Sequence, residues 1–226
     1  MKNEKFLENR WNNLSEITPT EIEKFVDIYN KGNHLLIEME KFAAENKVPI
    51  LLPSSAKLLQ LICRLKQPKT ILELGTGIGY STLNMLLAVN GKCNLTSVDF
   101  NADRIEIARS FIKKSDFKTD FICNDIFETI TELICNERKF DLIFADSMKS
   151  EYPFFNYKIQ TLLNNNGIAI FDNVLFRGYI CDNYPKKYKR SVKLLKKFLD
   201  DIKTYPSFDI SLLPVGDGLL VIKQEI

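Results

Sequence analysis

Residues 70 to 81 constrain the fold more than any other stretch. The apolar run Thr70-Ile71-Leu72-Glu73-Leu74 enters a turn with glycine at every second position, Gly75-Thr76-Gly77-Ile78-Gly79, and Tyr80-Ser81 then opens a helical pattern. Glycines let a ligand lie against the backbone, and the free N–H groups of the helix that follows point at it. The alternation continues downstream. The expected strands are 70–74, 94–98, 119–123, 140–145 and 167–171, and the expected helices between them are 80–89, 102–113, 126–136 and 154–163. Near-continuous apolar strands separated by helices predict an α/β fold with a parallel sheet covered on both faces. A long helix over 186–203 precedes a hairpin of 208–213 with 219–222 around Pro214-Val215-Gly216-Asp217-Gly218. The sheet then has about seven strands, the last pair antiparallel.

Residues 1–67 read mostly as helix. Thr18-Pro19-Thr20-Glu21 combines a threonine cap, proline at the first helical position and Glu three residues after the cap, and Ile22, Phe25, Val26 and Tyr29 follow at helical spacing. A second amphipathic stretch runs from Leu35 to Ala44, Pro49 and Pro53 are expected to break it, and Ala56 to Leu65 resumes the helical spacing. No interval resembles a linker. The 226 residues are therefore expected to form one domain, with a helical segment over 1–67 and a ligand-binding catalytic core over 68–226.

Composition removes several classes of function. With 45% hydrophobic and 27% charged residues the chain is not a disordered one, and no apolar run approaches the roughly 18 residues that span a bilayer. The start, Met1-Lys2-Asn3-Glu4-Lys5, has no apolar signal region, which predicts a cytoplasmic protein without a membrane partner. Five cysteines (Cys63, Cys93, Cys123, Cys135, Cys181) never form a C-x-x-C pair, so neither a disulfide framework nor a structural zinc is expected. One histidine, His34, leaves no material for a Ser-His-Asp triad or a multi-histidine metal site. Chemistry has to run on Asp, Glu, Asn, Lys and Tyr.

The glycine spacing is G-x-G-x-G, not the dinucleotide fingerprint G-x-G-x-x-G, and Glu73 stands two residues before the first glycine. A carboxylate there repels a pyrophosphate and suits a cationic ligand. Glu73-x-Gly75-x-Gly77-x-Gly79 resembles the first motif of the class I methyltransferases, Rossmann-like proteins that use S-adenosylmethionine. The resemblance implies that Glu73 helps hold the amino-acid end of the cofactor, that the 75–79 turn packs under its ribose, and that Leu51, Thr76, Tyr80, Ser81 and Asp146 belong to the same site. It also implies that Asp99 accepts the ribose hydroxyls and that Asp125 and Ile126 sit at the adenine. The alternative for Asp99 and Asp125 individually is a helix cap.

Two further strand ends carry polar residues. Ile143-Phe144-Ala145-Asp146-Ser147-Met148-Lys149 and Ile170-Phe171-Asp172-Asn173-Val174 both emerge where open α/β sheets bind ligands. Two aspartates and an amide oxygen suit a hard, octahedral ion such as Mg²⁺, completed by water and substrate oxygens. Strand-end turn and cap residues would look alike. D-x-x-K after the fourth strand and D-N after the fifth, together with the first motif, resemble the metal-dependent O-methyltransferases, the family of the catechol and caffeoyl-CoA enzymes. That resemblance implies Asp146, Asp172 and Asn173 as metal ligands and Lys149 as the base, acting with Asp146 at the catalytic centre. A lysine beside a metal ion is expected to have a lowered pKa. Family members commonly pair as homodimers.

Within that family, Val48-Pro49-Ile50, Lys66-Gln67-Pro68-Lys69, Asp172-Asn173-Val174-Leu175-Phe176-Arg177-Gly178 and Leu213-Pro214-Val215-Gly216-Asp217-Gly218 resemble the bacterial tRNA 5-hydroxyuridine methyltransferases. Leu51 stands where that branch more often carries methionine. The resemblance implies a tRNA partner, with a small catechol-type phenol as the alternative acceptor. The charge distribution bears on this: the net charge is only +2, but residues 177–203 hold nine basic and three acidic residues, an excess of +6 against −4 for the rest. Arg177, Lys186, Lys187, Lys189, Arg190 and Lys193 are candidates for RNA phosphates, and the same run suits a solvated helix face. Phe176, Tyr179 or Tyr184 could stack on an unpaired base. A cofactor-binding module without catalysis is disfavoured by the presence of Asp146, Lys149, Asp172 and Asn173 together.

Overall fold

The computed structural model describes residues 17, 19–29, 33–182 and 184–225. Three helices precede the sheet: α1 (Thr20–Tyr29), α2 (His34–Asn46) and α3 (Pro53–Lys66). The expected Thr18 cap lies outside the described residues. Asn33 caps α2, its side chain accepting from Leu35 and Leu36 N–H. Pro53 does not break a helix as expected but opens α3, where its missing N–H has no helical partner to lose. That places the α3 start three residues before Ala56.

The sheet then alternates as expected: β1 (Thr70–Leu74), α4 (Tyr80–Ala88), β2 (Asn94–Asp99), α5 (Ala102–Lys113), β3 (Asp120–Cys123), α6 (Ile126–Cys135), β4 (Phe140–Ala145), α7 (Asn156–Leu162), β5 (Leu163–Phe171), α8 (Lys189–Ile202), β6 (Phe208–Leu213) and β7 (Leu219–Gln224). The strand order is β3-β2-β1-β4-β5-β7-β6. The first five strands run parallel, while β7 is antiparallel to both β5 and β6. Strand β5 begins earlier than its apolar run, at Leu163, because Phe140 of β4 pairs with Leu163 before a register shift restores the Leu142–Ile168 pairing. The polar Asn164-Asn165-Asn166 hid this extension.

Side-chain alternation sorts the interior into two layers. Ile71, Leu142, Phe144 and Ile170 pack with α2 to α5, and Leu72, Leu74, Ile143, Ala145 and Phe171 pack with α6 to α8. Glu73 therefore falls on the α4 side of the sheet. The switch point of strand order lies between β1 and β4, where the loops leaving their C-terminal ends diverge to opposite sides. Open sheets place ligands there.

Candidate active site

A cavity of about 400 Å³ opens at that switch point. It is lined by the glycine turn (Gly75, Thr76, Gly77), by Tyr80 and Ser81 of α4, by Asp99 at the end of β2, and by Leu51 and Ile126. Asp146, Lys149, Asp172 and Asn173 line it from the ends of β4 and β5. The topology thus brings Leu51 and Asn173, 122 positions apart in sequence, to one cavity.

The turn is built for close approach. Gly75 has φ +105°, and a Cβ there would lie 2.5 Å from the backbone oxygen of Asp146. Only glycine lets the β1 and β4 ends meet. Gly75 N–H and Thr76 N–H both donate to the Val98 carbonyl, at 2.9 and 3.2 Å.

Asp99 is 5% exposed and holds the turn from the other side. Its Oδ2 accepts from Gly77 N–H at 2.9 Å and its Oδ1 from Asn101 N–H at 3.0 Å. The α5 cap is Asn101, whose side chain accepts from Arg104 N–H, so Asp99 is left facing the cavity. Asp125 takes the opposite course: it is exposed, caps α6 by accepting from Phe127 and Glu128 N–H, and does not line the cavity, whereas Ile126 does. Both capping bonds fall on Asp125 Oδ1, at the mouth of the helix that Ile126 opens.

Glu73 reaches the site through its neighbours. It is fully buried and absent from the cavity wall, because strand alternation aims it beneath the first turn of α4. Ser81, Thr82 and Ser97 hydroxyls donate to its carboxylate, each at 2.5 Å. Burial pushes its pKa up to about 7, against those three hydrogen bonds. Its contact with the site is indirect, through Ser81 and through the Ser97–Thr76 hydroxyl pair at 2.6 Å.

The charged cluster lies across the cavity. Asp146 N–H donates to Leu74 O and Asp172 N–H to Ala145 O, at 2.9 and 3.0 Å, so both carboxylates are carried on ladder-paired backbone. Lys149 Nζ donates to Asp146 Oδ1 at 2.9 Å, to Ser147 O at 3.1 Å and to Tyr152 Oη at 3.2 Å. Tyr152 is fully buried, and its Oη stands 2.9 Å from Asp172 O and 3.1 Å from Ala145 O. Burial alone would lower the Lys149 pKa, but Tyr152, Asp146 and Asp172 around it hold it above the usual lysine range. The lowered pKa expected of Lys149 belongs to the site with a metal ion beside it; the two carboxylates by themselves favour its charged form. Asp172 is pushed well above the usual carboxylate range, first by burial and then by the Asp146 charge.

Whether these residues suit a metal ion can be judged from Asp172. It is 2% exposed, yet its buried Oδ1 has no hydrogen-bond partner. An unpartnered buried carboxylate oxygen that feels the charge of a second carboxylate is a place for a cation, and the oxygen-only donors suit a hard one. Among the described residues no group of three or more His, Cys, Asp or Glu is placed to hold a metal, so two carboxylates would need amide, water and acceptor oxygens beside them.

Two residues here had no role in the sequence reading. Tyr152, three positions after Lys149, fixes the lysine from below. Asp217, in the β6–β7 turn, is 7% exposed and lines the cavity; burial pushes its pKa up to about 6. The adjacent glycines on both sides of Asp217 were the available signal.

The basic run is not part of the cavity wall. Lys186, Lys187, Lys189, Arg190 and Lys193 are exposed, while Val192, Leu195, Phe198 and Ile202 bury the opposite face of α8. Lys196 and Lys197 are paired with Asp182 and Asp201, at 2.5 and 2.6 Å. Arg177 alone of the basic candidates lines the cavity. An aromatic cluster joins the two regions: Phe176, on the wall, meets Tyr188 edge-on at 5.3 Å, and Tyr179 stacks on Tyr188 at 5.3 Å. Tyr184 stands outside this cluster. His34 is exposed at the start of α2 and takes no part in the site.

Residues 27–225 match the sequence profile of a family described as O-methyltransferase. The caffeoyl-CoA O-methyltransferase of Populus kitakamiensis is 26% identical over 176 residues, covering 74% of this chain and 75% of that protein. The caffeoyl-CoA O-methyltransferase of Medicago sativa is 24% identical over 208 residues, covering 87% and 84%. Among solved structures, the O-methyltransferase from Bacillus cereus in complex with SAH superposes with a TM-score of 0.80 at 22% identity, covering 91% of this chain and 97% of that one.

Proposed function

Since the chain belongs to this O-methyltransferase family, we propose that it moves a methyl group from S-adenosylmethionine to a hydroxyl flanked by a second oxygen, in 5-hydroxyuridine of the tRNA anticodon loop. The observation that carries the reaction class is the single cavity in which the glycine turn and Asp99 stand opposite Asp146, Lys149 and Asp172. The observation that favours RNA is the exposed basic face of 186–193, connected to the cavity wall through Tyr188 and Phe176.

S-adenosylmethionine supplies a methyl group already activated on a sulfonium. The 75–77 turn and Ser81 offer backbone and hydroxyl groups to it, Asp99 offers carboxylate oxygens to ribose hydroxyls, and Ile126 offers an apolar wall to a base. Asp146, Asp172 and Asn173 would hold a divalent cation, probed first as Mg²⁺, which would lower the pKa of an oxygen pair bound to it. Lys149, held by Asp146 and Tyr152, would in its neutral form take the proton of the acceptor hydroxyl, and the ammonium so formed would donate a hydrogen bond to the oxyanion, which takes the methyl group as S-adenosylhomocysteine leaves. That hydrogen bond favours the ionised hydroxyl over the neutral one. The remaining contribution is geometric: an acceptor seated against Phe176 and Arg177 is held in line with the methyl group, away from bulk water.

The second reading is a small phenol, because the two plant relatives are named caffeoyl-CoA O-methyltransferases. An unpaired loop uridine and a catechol share the feature the site needs, two neighbouring oxygens. No described helix is long and apolar enough to cross a membrane. The pairing implied by the family is supported by an apolar row on the N-terminal helices, where Ile22, Phe25, Ile28 and Tyr29 of α1 and Leu61 and Leu65 of α3 are exposed.

Mass spectrometry of tRNA nucleosides from cells lacking the protein separates the readings. Accumulated 5-hydroxyuridine with loss of 5-methoxyuridine supports the tRNA acceptor, and an unchanged nucleoside profile rejects it.

A further inference from the structure

The turn between β6 and β7 brings a further carboxylate to the active site, Asp217, which feels the charge of Lys149 and is felt by Asp172. Three of the turn's atoms reach the loop that leaves β5: Gly218 O accepts from Val174 N–H at 3.1 Å, Asp217 O accepts from Leu175 N–H at 3.1 Å, and Asp217 Oδ1 accepts from Arg177 N–H. The Asn173 side chain stands beside the same carboxylate and stabilises its charge.

That loop needs holding. Asn173, Phe176 and Arg177 have φ of +57°, +47° and +58°, followed by Gly178 at +78°. Left-handed backbone is unfavourable for a bulky side chain and persists only where surroundings impose it. The two glycines of the turn are equally constrained. A Cβ on Gly218 would lie 2.3 Å from Leu175 Cγ, and one on Gly216 would lie 2.1 Å from Ser55 Oγ at the start of α3. The turn is wedged between α3 and the loop.

We propose that Asp217 is a positioning residue for the acceptor: its buried carboxylate clamps the 173–177 loop in left-handed backbone and so presents Phe176 and Arg177 to the cavity. The carboxylate takes Arg177 N–H and the Asn173 side chain while the carbonyls beside it take Val174 and Leu175 N–H, so the turn sets where the acceptor wall stands. A carboxylate suits this task because it accepts hydrogen bonds and donates none, and the groups directed at it are donors. Asparagine at this position keeps one oxygen and turns the other into a donor facing a donor.

The acceptor part rests on the O-methyltransferase reading above; the clamp itself does not. The experiment compares wild type, Asp217→Ala and Asp217→Asn by amide hydrogen exchange of residues 173–178, by calorimetric affinity for S-adenosylhomocysteine, and by acceptor KM and kcat. In Asp217→Ala, exchange at these amides is expected to rise at least ~tenfold and acceptor KM on the order of 10–100-fold, as for other lost supporting contacts. Affinity for S-adenosylhomocysteine should stay within about twofold, since the cofactor wall lies across the cavity. Asp217→Asn should fall between the two in both exchange and KM, and it carries the comparison if Asp217→Ala does not fold. Unchanged exchange in the alanine variant overturns the clamp whatever the acceptor is. A fall in S-adenosylhomocysteine affinity matching the rise in KM also overturns it, because that is the signature of a general loss of structure. Exchange and cofactor binding are read without acceptor, so an error in the acceptor assignment leaves them standing.

Discussion

Replacing Glu73 by glutamine tests whether this residue holds the cofactor or supports the fold. Its carboxylate is fully buried, receives three hydroxyl hydrogen bonds, and has its pKa pushed up to about 7 from an ordinary 4.5. An acid whose pKa is higher in the folded state stabilises the fold fully below its unfolded value and loses that contribution as pH rises through the folded one. For Glu73 the window runs from pH 4.5 to about 7. A difference of that size corresponds to roughly 3 kcal/mol at about 1.4 kcal/mol per pKa unit. Glutamine has the shape of the protonated acid and never ionises. Near pH 5 the variant should match wild type to within about 1 kcal/mol, the size of one rearranged hydroxyl hydrogen bond. At pH 8 it should be the more stable protein by up to roughly 3 kcal/mol. Urea unfolding of both proteins at the two pH values gives the comparison, since every other titrating group is common to both. A gap that does not change with pH refutes the buried-acid argument. Loss of S-adenosylhomocysteine affinity in the folded variant at pH 5 would return Glu73 to direct cofactor contact.

Three other predictions address the site. Lys149→Ala should cut kcat on the order of 100-fold with S-adenosylhomocysteine affinity nearly unchanged, and Tyr152→Phe, which keeps the ring packing on Phe171 and Phe198, should cost about tenfold in kcat; calorimetry showing lost cofactor binding in either would make these residues structural. Gly75→Ala places a Cβ 2.5 Å from Asp146 O at φ +105°, so a lower thermal midpoint and at least ~tenfold weaker S-adenosylhomocysteine binding are expected; near wild-type values in both would show that the β1–β4 approach is not tight. Reversing charge at Lys187, Lys189 and Arg190 together should raise KM for tRNA on the order of 10–100-fold and flatten its salt dependence while leaving a soluble catechol unaffected; an equal effect on both acceptors would remove RNA contact from this face.

The sheet was legible because its signals are local and redundant. Apolar runs of four to six residues, helical spacing between them and a glycine turn all point to one arrangement. Legibility failed where one residue type serves two purposes. Pro53 reads as a breaker and is a helix opener; Asn164-Asn165-Asn166 reads as a loop and continues β5 past a register shift. In the site two aspartates differ in whether they cap a helix. Asn101 takes the capping role near Asp99, and nothing relieves Asp125 of it. Glu73 belongs to the motif but its direction follows from strand alternation, which a motif does not encode. The Asp217 clamp depends on neighbours from the loop after β5, so it was not visible from spacing.

Labelled-methyl transfer from S-adenosylmethionine to 5-hydroxyuridine-containing tRNA, run beside a soluble catechol and with and without a chelator, tests the central claim most directly. The expected result is label on the uridine hydroxyl, lost on complete metal removal and restored by Mg²⁺, with bulk tRNA lacking the hydroxyl unlabelled. No label on the uridine hydroxyl, with or without label on the catechol, from a folded protein that binds S-adenosylhomocysteine would contradict the claim, and label surviving complete metal removal would contradict the role given to Asp146, Asp172 and Asn173.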